Sequence, residues 1–114
     1  MAKVIINGDL EEQINKKFKA KSIDIFEMLY SLKENPYKGK LIGSVGGIVI
    51  KELRYENFRF YFITDGYKLK VMDKNILSEL LIKFVIMSDK KDQQKIINEI
   101  RTILTKFGEK GFDF

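Results

Sequence analysis

The spacing of apolar residues shifts from helical to strand-like at Asn35-Pro36, and that shift in mid-chain narrows the class of fold it can form. Before it, apolar residues recur at helical intervals: Leu10, Ile14 and Phe18, then Phe26, Leu29, Tyr30 and Leu32. After it come runs with strand character: Ile48 to Arg54, Phe58 to Thr64, and Glu79 to Met87. A residue before proline is biased away from helix, so Asn35 ends the helical part. The chain opens on a short strand, Lys3 to Asn7, and closes on a helix whose Ile96, Ile97, Ile100, Ile103, Leu104 and Phe107 share one face, with Gly108 suited to its C-terminus.

Local signals fill in the connections. Asp9 with Glu12 three residues on makes a capping-box pattern, and Ser22 is placed to cap a second helix running from Ile23 to about Glu34. Two helices so close in sequence predict an antiparallel hairpin. The segment Lys38 to Gly47 is glycine-rich and reads as a loop. Tyr55-Glu56-Asn57 is a tight link between two strands, and Asp65-Gly66 is a hairpin signal feeding an edge strand from Tyr67 to Met72. A turn around Asp73-Lys74-Asn75 leads to the last strand, and Ser88 is placed to cap the last helix. Phe112 and Phe114 either pack back or meet a partner. The order predicted is β–α–α–β–β–(β)–β–α, an α+β domain over residues 1–114 with an antiparallel sheet and helices on one face.

Two missing residue types narrow the chemistry. The 114 residues include no Cys and no His, which excludes thiolate nucleophiles, imidazole catalysis and the usual zinc sites. Gly43-Ser44-Val45-Gly46-Gly47 lacks the spacing and the Lys-Ser/Thr of a phosphate-binding loop. No cofactor or metal is called for by any motif. No apolar run approaches the about 20 residues that span a bilayer, and the first residues lack the pattern of a secretory signal. A cytoplasmic protein without a membrane partner is the expectation.

The net charge is +5, and seven basic residues (Lys38, Lys40, Lys51, Arg54, Arg59, Lys68, Lys70) against three acidic ones (Glu52, Glu56, Asp65) lie between Tyr37 and Met72. Basic charge gathered on one stretch is the footprint of a nucleic-acid binder, although a solvated lysine-rich face gives the same composition.

Several ordered patterns carry a family resemblance. Leu32 to Leu41, Leu-Lys-Glu-Asn-Pro-Tyr-Lys-Gly-Lys-Leu, resembles the link from second helix to sheet in the RelE/ParE toxins of type II toxin–antitoxin systems. Lys51-Glu52-Leu53-Arg54 followed by Phe58-Arg59-Phe60-Tyr61-Phe62 resembles that superfamily's paired strands. Phe84-Val85 with Lys90-Lys91, entering a helix with Gln93, Gln94, Ile97 and Glu99, is similar to the HigB-like branch. These patterns together span more than half of the chain.

The resemblance implies a toxin neutralised by a cognate antitoxin, with RelE and HigB members cutting mRNA on the ribosome by attack of the ribose 2′-hydroxyl on the adjacent phosphate. That reaction needs a proton acceptor, cations to stabilise the phosphorane, and a donor for the leaving oxygen. It implies Arg59 as the clamp on the scissile phosphate, with Arg54 beside it or supporting the fold. Lys90 or Lys91 falls where relatives place a cation or histidine, Lys51 is the nearest lysine to the family's base, and Tyr55 and Tyr61 are candidates for stacking on a base. Lys38, Lys40 and Lys83 would add contacts to the RNA backbone. RelE itself carries two lysines in the strand before the arginine. Here Ile50 and Glu52 stand there, with Lys51 on the opposite face unless a bulge turns it. An excess of residues between Thr64 and Glu79 looks like an enlarged hairpin. Two further readings stay open: a ParE-like toxin that poisons DNA gyrase without being a nuclease, and a binding module with the toxin fold but no toxicity.

Overall fold

A computed structural model describes residues 1–71 and 73–112. The elements are β1 (Lys3–Ile6), α1 (Gly8–Phe18), α2 (Ser22–Tyr30), β2 (Lys40–Val45), β3 (Ile48–Tyr55), β4 (Phe58–Asp65), α3 (Gly66–Lys70), α4 (Lys74–Leu77), β5 (Leu81–Asp89) and α5 (Gln93–Phe107). Short 3-10 turns follow α1, α2 and α5. The strands form one sheet in the order β1-β5-β4-β3-β2. β1 runs parallel to β5 and every other pair is antiparallel, so the sheet is mixed. The α+β class is as expected.

Helices cover both faces of the sheet, not one. On the first face α1 and α2 bring Leu10, Ile14, Ile25 and Leu29 against Leu53, Phe60, Phe62, Ile82 and Phe84. On the second, Ile97, Ile100 and Leu104 of α5 pack against Ile50, Tyr61, Ile63 and Val85, and Phe112 folds back to join them. Each such side chain contributes roughly 1.5–3 kcal/mol of burial free energy. Phe58, Phe60 and Phe62 form the core-facing row expected at period two, with Phe60 and Phe62 fully buried. Phe107 is 66% exposed and stands outside the α5 stripe. Phe114 lies outside the described residues. Among the described residues no helix is long and apolar enough to cross a membrane.

Several local expectations are corrected. The cap of α1 is Asn7, whose Oδ1 accepts from the Asp9 N–H at 2.8 Å; Asp9 sits in the first turn, where the dipole favours a carboxylate. Ser22 lies inside α2 and donates to the Lys19 carbonyl at 2.6 Å. Lys40 to Val45 is an edge strand, not a loop. The Arg101 guanidinium of α5 lies over its Gly43, where a side chain would begin, so a larger residue there would have to push that flexible side chain aside. Asp65-Gly66 opens α3: the Asp65 carboxylate accepts from the Tyr67 and Lys68 N–H groups at 2.9 and 3.1 Å.

The supposed edge strand from Tyr67 is therefore helical as far as Lys70, and its end at Met72 lies outside the described residues. The turn placed at Asp73-Lys74-Asn75 runs into α4. Together α3 and α4 account for the extra length before β5. Ser88 likewise belongs to β5, and α5 begins after Asp92 with no side-chain cap. Gly108 ends α5 as expected, with φ of 63° and its N–H on the Leu104 carbonyl.

Candidate functional site

One end of the sheet gathers the β3–β4 turn, the start of β2, the end of β5 and the start of α5. The turn is two residues long, with Tyr55 opposite Phe58 and Glu56 in the left-handed region at φ 53°. This fixes an unbroken register along β3 and β4, which sets Arg54 opposite Arg59 and Glu52 opposite Tyr61. Across the next pair Arg59 faces Ser88, and on the other side Lys40 faces Glu52. Strand alternation places Glu52, Arg54, Arg59 and Tyr61 on the α5 face.

The centre of this end is an enclosed ion pair. Arg59 Nε lies 3.9 Å from Glu52 Oε2, and the two side chains are only 5% and 2% exposed. Three of their atoms, Arg59 Nε, Arg59 Nη1 and Glu52 Oε2, are buried without a hydrogen-bond partner in the protein. Buried polar atoms are rarely left so, because each costs about 1–3 kcal/mol of desolvation. Arg54 carries like charge directly opposite Arg59, an arrangement that disfavours close approach, and it is exposed.

Around the pair, Tyr61 is fully buried and its hydroxyl shares a 2.9 Å hydrogen bond with Ser88 Oγ. Burial raises the Tyr61 pKa. The Ser88 bond opposes that shift, Glu52 adds to it and Arg59 counters it. An enclosed ring offers no face to a base, so the stacking role expected for Tyr61 is corrected. Lys90 and Lys91 are exposed in the link from β5 to α5, just beyond Ser88. Lys38 and Lys40 are exposed at the start of β2, at the same end. The uncapped first turn of α5 adds open N–H groups and a positive dipole end.

Three expected residues are not brought here. Lys51 points to the opposite face, since no bulge interrupts β3 and β4. It donates to the Tyr37 carbonyl at 2.9 Å and lies 5.8 Å from the Phe62 ring centroid, and burial lowers its pKa. Tyr55 is half-buried on that same opposite face, edge-on to Phe18 at 6.0 Å. Lys83 sits further along β5, opposite Ile63, and pairs with Glu109 at 3.6 Å.

Glu52 is in the sequence a candidate partner of Arg59, alongside Glu56, as a surface pair; strand pairing selects Glu52 and encloses the pair. The same end also carries an open groove of ≈ 480 Å³ between α1 and the start of α5, whose walls include Lys16, Lys17, Phe58, Ser88 and Asp89. Among the described residues no group of three or more His, Cys, Asp or Glu could hold a metal ion. No family model, no curated protein and no solved structure matches the chain.

Proposed function

We propose that the chain is the toxin of a type II toxin–antitoxin module, a cytoplasmic, ribosome-dependent mRNA endonuclease of the RelE/HigB kind. The observation that carries this reading is the Arg59–Glu52 pair, buried with three polar atoms unpartnered, at the end of the sheet where Arg54, Lys40, Lys90 and Lys91 also stand. Exposed cations there attract the RNA backbone, and Arg54 with the Lys90-Lys91 link meets the scissile phosphate first. Arg59 completes the clamp when the phosphate draws its guanidinium from Glu52. Its free Nε and Nη1 are the donors such an anion satisfies. Glu52 is then the acceptor for the 2′-hydroxyl proton, in the strand position where RelE carries lysine, and Lys90 or Lys91 protonates the leaving 5′-oxygen. The cognate antitoxin, the ribosome and mRNA are the partners in this reading.

A second reading has its own support. The α5 face carries no lysine at residues 50 and 52, and Arg59 is enclosed, as suits a toxin that poisons gyrase without cutting RNA. Inducible expression in a bacterial host, with primer extension on a reporter mRNA, separates the two. Wild type should arrest growth and create new in-frame mRNA ends. Arg54→Ala, at an exposed position, should abolish both while keeping the wild-type melting temperature. Arrest without new ends would transfer the reading to gyrase, and no arrest at full expression would remove toxicity altogether.

A further inference from the structure

The groove between α1 and the start of α5 is next to the cation row, on the other side of the sheet end. Ser88 links the two, since it faces Arg59 in the strand register and also lines the groove. Asp89, one residue on, faces Phe58, and both line the groove as well. Its volume, ≈ 480 Å³, suits a nucleotide-sized ligand.

The walls differ in chemistry from the cation row. Phe58, Met87 and Ile96 supply an apolar surface. Lys17 Nζ lies 4.9 Å from the Phe58 ring centroid, and Lys16 pairs with Glu12 at 2.9 Å across an exposed surface. That exposed pair is weak and yields readily to a phosphate. At the end of β5 stands Asp89, which is exposed, and its Oδ1 accepts from the Asp92 N–H at 2.8 Å.

We infer that this groove holds a nucleobase of the bound RNA, and that Asp89 selects guanine by accepting hydrogen bonds from its Watson–Crick edge. A carboxylate only accepts. Guanine alone among the four bases presents an imino and an amino N–H side by side. Adenine and cytosine offer one amino group beside a ring acceptor, and uracil flanks its single N–H with carbonyls that repel a carboxylate. Recognition of that edge is open only in single-stranded RNA, where bases are splayed from the stack. The Lys16 and Lys17 ammonium groups then face the phosphate of the same nucleotide. This specificity rests on the reading of the chain as an RNA-cleaving toxin, but the groove is tested without cleavage.

The experiment titrates the isotope-labelled full chain with each of the four nucleoside monophosphates and follows backbone amide shifts by NMR. Guanosine monophosphate should shift the amides around Gln13 to Lys17 and Met87 to Asp92. It should bind roughly tenfold or more tighter than the uridine nucleotide, the discrimination of one bidentate side chain–base pair. Asp89→Asn keeps an oxygen for the Asp92 N–H and should bring the two nucleotides near parity. Equal binding of all four by wild type, shifts confined to other surfaces, or unchanged preference in Asp89→Asn would each overturn the inference. Cellular cleavage with no response in the groove discards the groove and keeps the nuclease. A guanine-selective response in a chain that leaves mRNA intact does the reverse.

Discussion

The two faces of the sheet are built from the same strands and yet are differently composed. Under the α1–α2 hairpin, the face is mostly apolar, from Phe62 and Phe84 to Phe60 and Leu53, with Phe18 edge-on to Phe58 at 5.0 Å. Under α5, the face divides. Ile50, Ile63 and Val85 are packed as a core, while Glu52, Arg54, Arg59 and Ser88 occupy the end where α5 begins. The first face is a packed core, and the second combines a core with a cluster of charged and polar groups. A helix that crosses only part of a sheet leaves room at its start for a cluster of charged groups, whereas under the two-helix layer Lys51 is the single buried charge among the described residues.

Substitutions at matched positions on adjacent strand residues can break this contrast. Phe60→Ala, on the hairpin face, should destabilise the fold by about 3–5 kcal/mol, read as a lower urea midpoint at unchanged slope. An equal loss from Arg54→Lys, an exposed position of the polar end, would erase the distinction between the faces.

Glu52→Gln sharpens it. The variant leaves the Arg59 charge buried without its counter-ion and should cost about 3 kcal/mol. Glu52→Leu combined with Arg59→Met should recover most of that loss, since a packed apolar pair commonly replaces a buried ion pair without penalty. If the double variant folds stably and has lost toxicity, the pair is retained for function. If it is toxic, the pair is structural and the proposed clamp is wrong.

The smallest effect concerns Lys51, the one buried charged side chain on the hairpin face among the described residues. Burial lowers its pKa below the ordinary 10.5. Between the folded value and 10.5 the unfolded chain binds more protons than the native one, so stability gains with rising pH across that window. At neutral pH the penalty for burying the charge is fully present. Lys51→Met lacks the titration, and its melting temperature relative to wild type should therefore fall as pH rises towards 10.5. Parallel curves for the two proteins would show that the ammonium reaches water freely.

Much of this architecture is written in local sequence. The period-two row Phe58, Phe60, Phe62 and the helical stripe Ile97, Ile100, Leu104 each define a buried face, because burial of neighbouring apolar side chains is a local pattern. Asn35-Pro36 and Gly108 marked their helix ends for equally local reasons of backbone sterics. The alternation that separates Lys51 from Glu52 and Arg54 was legible too, and the unbroken β3–β4 register keeps it.

Other choices were made only by the tertiary structure. Asp65-Gly66 suits a hairpin or a helix start, and the Asp65 carboxylate captures two N–H groups as the chain leaves the end of the central strand β4. Lys40 to Val45 lacks a strand pattern of its own. It becomes a strand because β3 offers it a ladder and Arg101 fills the space above Gly43. The parallel pairing of β1 with β5 joins segments nearly eighty residues apart, which no local signal encodes. The candidate site belongs to this second class. The sequence supplied Arg54, Arg59, Lys90 and Lys91 as residue types, but strand pairing enclosed Arg59 against Glu52, exposed Arg54, and set Ser88 between the cation row and the groove. Local pattern fixes which face a side chain takes; only long-range pairing decides what it meets there.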